Sequence, residues 1–214
     1  MNKKRITLAL IVMTLIMTLF TLPANAAKIS QKKATLVVGQ TLKLKIKKAS
    51  GKVKWSSTKK SVASVSSKGV ITAKKIGKAT IKAKVGRKTF KCNITVKANV
   101  YISKDDSYAD PLLNGVTVAI KIYKLQYTSP NTLVATIKFQ PLDGYIVVSD
   151  ISLKMFKNGT AFFNEYVYLT TSFFVDSGNV HTLTMTLKKK DFPSMRFIDL
   201  TKLTDDEFDY VVGW

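Results

Sequence analysis

The sequence has little of the chemistry on which metal sites and hydrolases usually depend. It contains one cysteine and one histidine in 214 residues. A disulfide needs two cysteines and a Cys/His zinc site needs several such ligands, so both are excluded. A Ser-His-Asp hydrolase would depend on the single histidine, which makes this class improbable. We therefore predict no catalytic residue, no metal site and no cofactor.

Acidic residues are also scarce, and their distribution is uneven. There are 13 Asp+Glu against 35 Lys+Arg, yet 46% of the residues are hydrophobic, so the chain is expected to fold. Residues 27–98 carry 21 Lys+Arg and no acid, and all 13 acids follow residue 98. This shift predicts a basic domain at 27–98, a linker leading into the next unit at 99–115 and a second domain at 116–214.

The N-terminus has the features of a secretory signal. Lys3, Lys4 and Arg5 precede an uncharged apolar run at 6–22, which is followed by a small-residue site at 24–26. This order predicts a signal peptide, 1–26, and therefore export. The alternative is an uncleaved anchor helix, since 17 apolar residues are at the lower limit for a membrane span.

The basic segment alternates between apolar residues and lysines. The alternation runs through residues 42–47, 52–55, 81–85 and 90–97, and turn signals separate these runs. A period of two is typical of strands with one buried and one exposed face. Short strands, frequent turns and no helical period predict a small antiparallel sandwich.

Several motifs in this segment resemble those of a known family. In chain order they are Leu36-Val37-Val38-Gly39-Gln40-Thr41-Leu42, Val53-Lys54-Trp55-Ser56-Ser57, Ser61-Val62-Ala63-Ser64-Val65, Gly69-Val70-Ile71-Thr72-Ala73 and Gly77-Lys78-Ala79-Thr80-Ile81. Over residues 28–97 this succession resembles the bacterial Ig-like domain, group 2. The resemblance implies an extracytoplasmic binding or spacer module and no catalytic residue. The segment departs from the family pattern in having no acids, so calcium-assisted stiffening is not expected inside it.

The alternation predicts lysines on both outer faces of this sandwich. The candidate polyanion-binding residues are Lys43, Lys45, Lys47, Lys52, Lys54, Lys82, Lys84 and Lys91. Outward lysines also serve solubility and prevent edge pairing. Mixed charges would serve solubility equally well, whereas an all-positive surface repels itself, so we expect an anionic partner.

The composition favours one kind of polyanion over another. Nucleic-acid binding typically adds Arg forks and stacking aromatics, whereas this segment has one Arg and no Tyr. A flexible phosphate polymer suits lysine point charges better, and an exported bacterial protein meets teichoic acid and anionic lipid headgroups. Non-specific binding of extracellular nucleic acid stays open as an alternative.

The second domain is also predicted to be a β-sandwich, although we recognise no specific family in it. Strands are expected at residues 116–127, 133–139, 145–149, 151–156, 161–175 and 180–187, and Asn158-Gly159 is a strong hairpin signal. The predicted fold class is therefore all-β, with two β-sandwich domains, the first Ig-like, after a cleaved signal peptide.

One predicted strand of the second domain carries rings on both faces. Phe162, Tyr166, Tyr168 and Phe174 form a candidate aromatic binding surface. Either one face of this strand is exposed to solvent, or the C-terminal segment covers the strand on both sides. An exposed face would bind carbohydrate by ring stacking or another surface protein by burying the rings.

The remaining reactive or charged residues are interpreted as structural or solvated. Trp55, Cys92 and His181 share the register of aliphatic neighbours, which predicts core positions for the first two and a partly buried structural role for the third. The acids within 105–110 lack the spacing of a calcium loop. Those within 205–209 are expected to form a solvated tail or to dock onto the lysine shell of this protein or of a neighbour.

Together these features predict an exported, non-enzymatic protein of the cell surface or cell wall. Its basic domain would attach to an anionic envelope polymer or membrane surface while the second domain presents a binding surface. The alternatives are extracellular nucleic-acid binding, adhesion to carbohydrate, and an unrecognised hydrolase or inhibitor, which no carboxylate pair on a recognisable motif supports.

Overall fold

The computed structural model describes residues 26–104, 112–113 and 116–213, and it is built from β-strands. The predicted signal peptide lies outside this part of the chain except for its last residue, and so do the acids within 105–110. The described residues contain no α-helix, and none of their helical turns could span a membrane. The prediction of an all-β fold is confirmed.

The strands of the basic domain form two main sheets and one small one. They are β1 (Lys28–Ile29), β2 (Lys33–Val37), β3 (Thr41–Lys43), β4 (Ile46–Lys47), β5 (Val53–Ser57), β6 (Ala63–Val65), β7 (Val70–Ala73), β8 (Gly77–Val85) and β9 (Lys88–Lys97). One main sheet has the order β2-β9-β8-β5 and the other the order β3-β7-β6, while β1 pairs with β4. Alternate residues of β8 and β9 are buried and exposed, as the sequence pattern predicts.

Two details of this domain differ from the predicted antiparallel sandwich. Strand β2 pairs with β9 in the parallel direction, so the main sheet is mixed. The expected strand over 42–47 breaks after Lys43, because Leu44 leaves the sheet pairing and donates its N–H to the carbonyl of Gly69. Leu44 is nevertheless fully buried, so the alternation of buried and exposed side chains continues across the break.

The second domain contains two further sheets. Its strands are β10 (Asn99–Ile102), β11 (Leu112–Leu113), β12 (Val116–Ser129), β13 (Thr132–Pro141), β14 (Tyr145–Lys157), β15 (Thr160–Asp176), β16 (His181–Lys188) and β17 (Phe208–Gly213). One sheet has the order β10-β12-β13-β16, with β11 also on β12, and the other has the order β15-β14-β17. The two strands expected at 145–149 and 151–156 are one strand, β14, with a register shift between Val148 and Asp150.

The start of the predicted linker belongs to the second domain's sheet. Strand β10 follows β9 after Ala98 and pairs with β12 in the antiparallel direction. The chain therefore passes from one sheet to the next with a single residue, Ala98, between the strands. So short a connection holds the ends of the two domains close together.

A buried asparagine joins the two domains at this point. The side chain of Asn99 is fully buried, and its Nδ2 donates to the carbonyls of Val38 and Ile198, each at 3.1 Å. Its Oδ1 accepts the N–H of Leu200 at 2.7 Å. Buried polar groups are costly unless they are hydrogen-bonded, so this amide fixes three backbone segments relative to one another.

An aromatic contact accompanies the asparagine. The ring of Phe197 lies against Gly39 in the basic domain and 5.3 Å from the ring of Tyr127 in the second domain. The Tyr127 hydroxyl donates to the carbonyl of Arg196, and burial raises its pKa to about 12. Gly39 has a φ of 91°, and a Cβ added there would lie 2.4 Å from Phe197 Cε2. The junction therefore requires glycine both for its backbone conformation and for its small size.

We expect Gly39→Ala to reduce the free energy of unfolding of residues 27–214 by about 2–3 kcal/mol, because it combines a positive φ with a steric clash. The matched control is Gly86→Ala, whose φ is 56° and whose added Cβ would meet nothing within 4 Å. Gly86→Ala should lower the free energy of unfolding by about 1 kcal/mol, because only the positive φ is unfavourable for alanine there. Urea denaturation measures both values, and equal losses in the two variants would contradict the packing of Phe197 on Gly39.

Candidate functional site

The basic residues of the first domain form an exposed and uncompensated surface. All 21 Lys and Arg side chains of residues 27–98 are exposed. Where ion pairs join two described residues, both partners lie beyond residue 98. Since none of these side chains forms an ion pair with a described carboxylate, their positive charge is exposed to solvent.

Four lysines lie together on the outer face of the β2-β9-β8-β5 sheet. Lys54 is directly opposite Lys84, and Lys82 is directly opposite Lys91. We call Lys54, Lys82, Lys84 and Lys91 the lysine quartet. Like charges in directly opposed positions destabilise a sheet. Stability alone therefore does not account for this arrangement.

The other predicted lysines lie elsewhere on the domain. Lys43 is on β3, in the other main sheet, and its Nζ donates to the carbonyl of Lys68. Lys47 is on β4 and directly opposes Lys28. Lys45 and Lys52 are exposed outside the strands. The eight predicted residues are thus not one site, although half of them form the quartet.

A polar groove adjoins the quartet on the same face of the sheet. It has a volume of about 390 Å³ and is lined by Lys33, Thr58, Lys78, Ala79, Thr80, Asn93, Ile94 and Thr95. None of these residues is among the eight predicted ones. The lysine alternation was visible in the sequence, but the parallel pairing that sets Lys33 beside Asn93 was not.

The residues with potential reactivity occupy structural positions. Cys92 is fully buried, and burial raises the pKa of its thiol, so the reactive thiolate is disfavoured. Trp55 is half-buried, with its ring against Gly69. His181 lies 2.9 Å from Asp176, and this hydrogen bond holds the pKa of the aspartate below its usual value. In the described part of the chain no cluster of three or more His, Cys, Asp or Glu could hold a metal.

The second domain exposes an aromatic face on the β15-β14-β17 sheet. Tyr166, Tyr168 and Phe174 are 64%, 80% and 70% exposed. Strand β17 pairs with the edge of β14 and does not cover this face, so of the two expectations for the aromatic strand, the exposed face is the one observed. Phe162 is only 3% exposed and does not belong to the surface, which corrects its prediction. It is the extra residue at a register shift of β15, where both Phe162 and Phe163 turn inward.

Polar groups lie beside these rings. Tyr168 is directly opposite Asp150, and Tyr166 is directly opposite Ser152. Phe174 instead faces Val147, which is also exposed. The face therefore combines flat rings with hydrogen-bonding groups at one end and is apolar at the other.

Two of the C-terminal acids, Asp205 and Glu207, neither form a solvated tail nor dock onto the lysines of the basic domain. Asp205 accepts hydrogen bonds from the hydroxyl of Tyr101 and the backbone N–H of Lys104. Glu207 pairs with Lys157 at 3.1 Å. Both acids thus bind the second domain itself, and this fixes the segment that leads into β17.

Comparison with known protein families supports the assignment of the first domain. Residues 23–96 match the family model of the bacterial Ig-like domain (group 2), which confirms the resemblance. No protein of curated function matches the sequence. The comparisons with solved structures include a bacterial Ig-like domain containing GH10 xylanase from termite gut, at 24% identity and a TM-score of 0.28. That match covers 30% of this chain and 18% of the xylanase chain.

A second solved structure is similar over a longer stretch. Domains 5–6 of the S-layer protein SbsC match at 14% identity and a TM-score of 0.29, covering 77% of this chain and 96% of that one.

Proposed function

We propose that this is an exported protein of the bacterial cell surface or cell wall with a binding and structural role rather than a catalytic one. Its basic Ig-like domain attaches to an anionic envelope polymer through distributed lysine charge. The observation that carries this proposal is the exposure of all 21 basic side chains without a paired acid among the described residues. The directly opposed lysines of the quartet support it, since like-charge pairs lose their repulsion when a polyanion lies between them.

The distribution of charge favours a flexible polymer over a flat lipid surface. The quartet lies on one main sheet, whereas Lys43 and Lys68 lie on the side of the other. A membrane plane can contact only one side of a sandwich at a time. A teichoic acid chain can wrap around the domain and contact both sides, so more of the lysines contribute to binding.

Nucleic acid is the weaker candidate for the same surface. The only arginine of the basic domain is Arg87, and Trp55 points inward from its strand. The lysine face therefore offers phosphate contacts but no ring on which a base could stack.

Replacing the quartet by glutamine should weaken binding of residues 27–214 to teichoic-acid-bearing cell walls by about 100-fold or more, since each lysine contributes about 1 kcal/mol. Each single replacement should weaken binding about fivefold, since about 1 kcal/mol is lost. Co-sedimentation at low ionic strength measures both.

The matched control removes four exposed lysines of the second domain, Lys154, Lys188, Lys190 and Lys202. It changes the net charge equally and should alter binding far less. Equal losses in the two quadruple variants, or unchanged binding to walls stripped of teichoic acid, would contradict attachment through the basic domain.

We propose that the second domain uses its aromatic face to bind carbohydrate. Exposed tyrosines provide stacking surfaces for sugar rings, and the adjacent Asp150 and Ser152 can bond to sugar hydroxyls. A docking site for another surface protein would surround its rings with apolar neighbours. Of the described residues directly opposite these rings, only Val147, opposite Phe174, is apolar.

Tyr168→Ala should lower affinity for a bound polysaccharide by about tenfold, because it removes the most exposed ring of the face. Affinity electrophoresis in gels that contain neutral polysaccharides measures this. Ile76→Ala, at an apolar position of the basic domain that is 62% exposed, is the control and should leave retention unchanged. Retardation by none of the polysaccharides would contradict the carbohydrate assignment and favour a protein partner.

A further inference from the structure

The polar groove beside the lysine quartet has the features of a specific site within the wider positive surface. Short side chains form its floor, and long lysines border it. Asn93 lies between Lys33 of β2 and Thr80 of β8, and in the next row Thr95 lies between Thr35 and Lys78. A depression results because the lysines extend several ångströms further from the sheet than the floor residues do.

The hydrogen bonds of the floor leave donors available to a ligand. Thr80 Oγ1 donates to Asn93 Oδ1 at 3.0 Å, which fixes the orientation of the amide. The Nδ2 group of Asn93 then lies on the other side, and it has no protein partner among the described residues. Thr58 is held by the backbone N–H of Thr80 at 2.9 Å, and its own hydroxyl proton can be donated elsewhere.

The charge of the groove is also uncompensated. Lys33 and Lys78 are exposed at its border and take part in no ion pair with another described residue. Lys82 and Lys91 occupy the next row of the same face. A ligand in the groove would therefore meet ammonium groups on several sides and neutral donors below.

We propose that this groove binds a phosphodiester group of the polymer, with Lys33 and Lys78 as cationic partners and with Asn93 and Thr95 as hydrogen-bond donors. The inference rests on the proposed function and names the chemistry of its ligand. A tetrahedral phosphate monoanion suits separate point charges, whereas a planar carboxylate is best recognised by an arginine fork, which the groove lacks. The floor hydroxyls can also accept bonds from a hydroxylated repeat unit.

The groove is continuous with the quartet along the strand direction. Lys78 and Lys84 both face outward on β8. They are six residues apart, which corresponds to about 20 Å at 3.4 Å per residue. Successive phosphates of one extended chain can thus contact the quartet while one phosphate occupies the groove. The groove then defines where the polymer lies, and the quartet adds affinity without selectivity.

The test uses residues 27–214 and a glycerol phosphate oligomer as the probe, with affinity measured by calorimetry. Asn93→Ala changes no charge and should weaken binding by about tenfold, the effect of losing one hydrogen bond to a charged group. Thr89→Ala, on the same face but outside the groove, is its control and should have no effect. Lys33→Gln/Lys78→Gln should weaken binding at least tenfold more than Lys47→Gln/Lys59→Gln, which removes equal charge elsewhere.

Nitrogen-15 NMR adds a direct readout. The side-chain NH₂ signal of Asn93 should shift during titration with the oligomer, and it should not shift with a carboxylate polymer such as polyglutamate. A thymidine oligonucleotide and vesicles of phosphatidylglycerol carry the same phosphodiester, so their relative affinities identify its source.

Two negative outcomes are distinguishable. If both lysine pairs weaken binding equally and Asn93→Ala has no effect, the groove is not a site, while attachment by distributed charge stands. If the unmodified protein binds no phosphate polymer at all, the proposed function is wrong, and so is the assignment of a phosphodiester to the groove.

Discussion

Mutual repulsion among 21 cationic side chains is the constraint on which the organisation of this protein depends. The basic domain has no acid with which to offset it, so stability must come from the apolar interior between its sheets. Burial of Leu36, Ile71, Ile81 and Ile94 to 4% exposure or less provides that interior. Every basic side chain of this domain is exposed to solvent, where water and salt reduce the repulsion.

The same constraint explains how charged and neutral groups are distributed between the two domains. Acids occur only after residue 98 in the sequence, and two of those near the C-terminus, Asp205 and Glu207, bind partners within the second domain. They are therefore not available to neutralise the lysines. The domains instead meet through neutral groups, with Asn99 and Phe197 at the junction. Contact through an amide and a ring leaves the positive faces open to a ligand.

The sequence predicted the strands well and their arrangement only in part. Alternation in residues 81–85 and 90–97 is a local property, and β8 and β9 follow it. The parallel partner of β9 and the break after Lys43 depend on contacts distant in the chain, so no local pattern reveals them. The groove was missed for this reason, because Lys33 and Asn93 become neighbours only through that pairing. Phe162 was misassigned because a register shift reverses the face expected from alternation.

We propose that lysines are retained in this domain for polymer binding at the expense of stability, and one substitution tests both effects. Lys84→Glu places an acid opposite Lys54. We expect the free energy of unfolding of this variant, measured by urea denaturation at low salt, to rise by about 0.5–1 kcal/mol, because a repulsive pair becomes attractive. Its affinity for a teichoic acid polymer should fall by tenfold or more, since two units of charge are lost at about 1 kcal/mol each. A variant that is less stable than the unmodified protein, or that binds the polymer equally well, would show that the lysines are not retained for binding at the expense of stability.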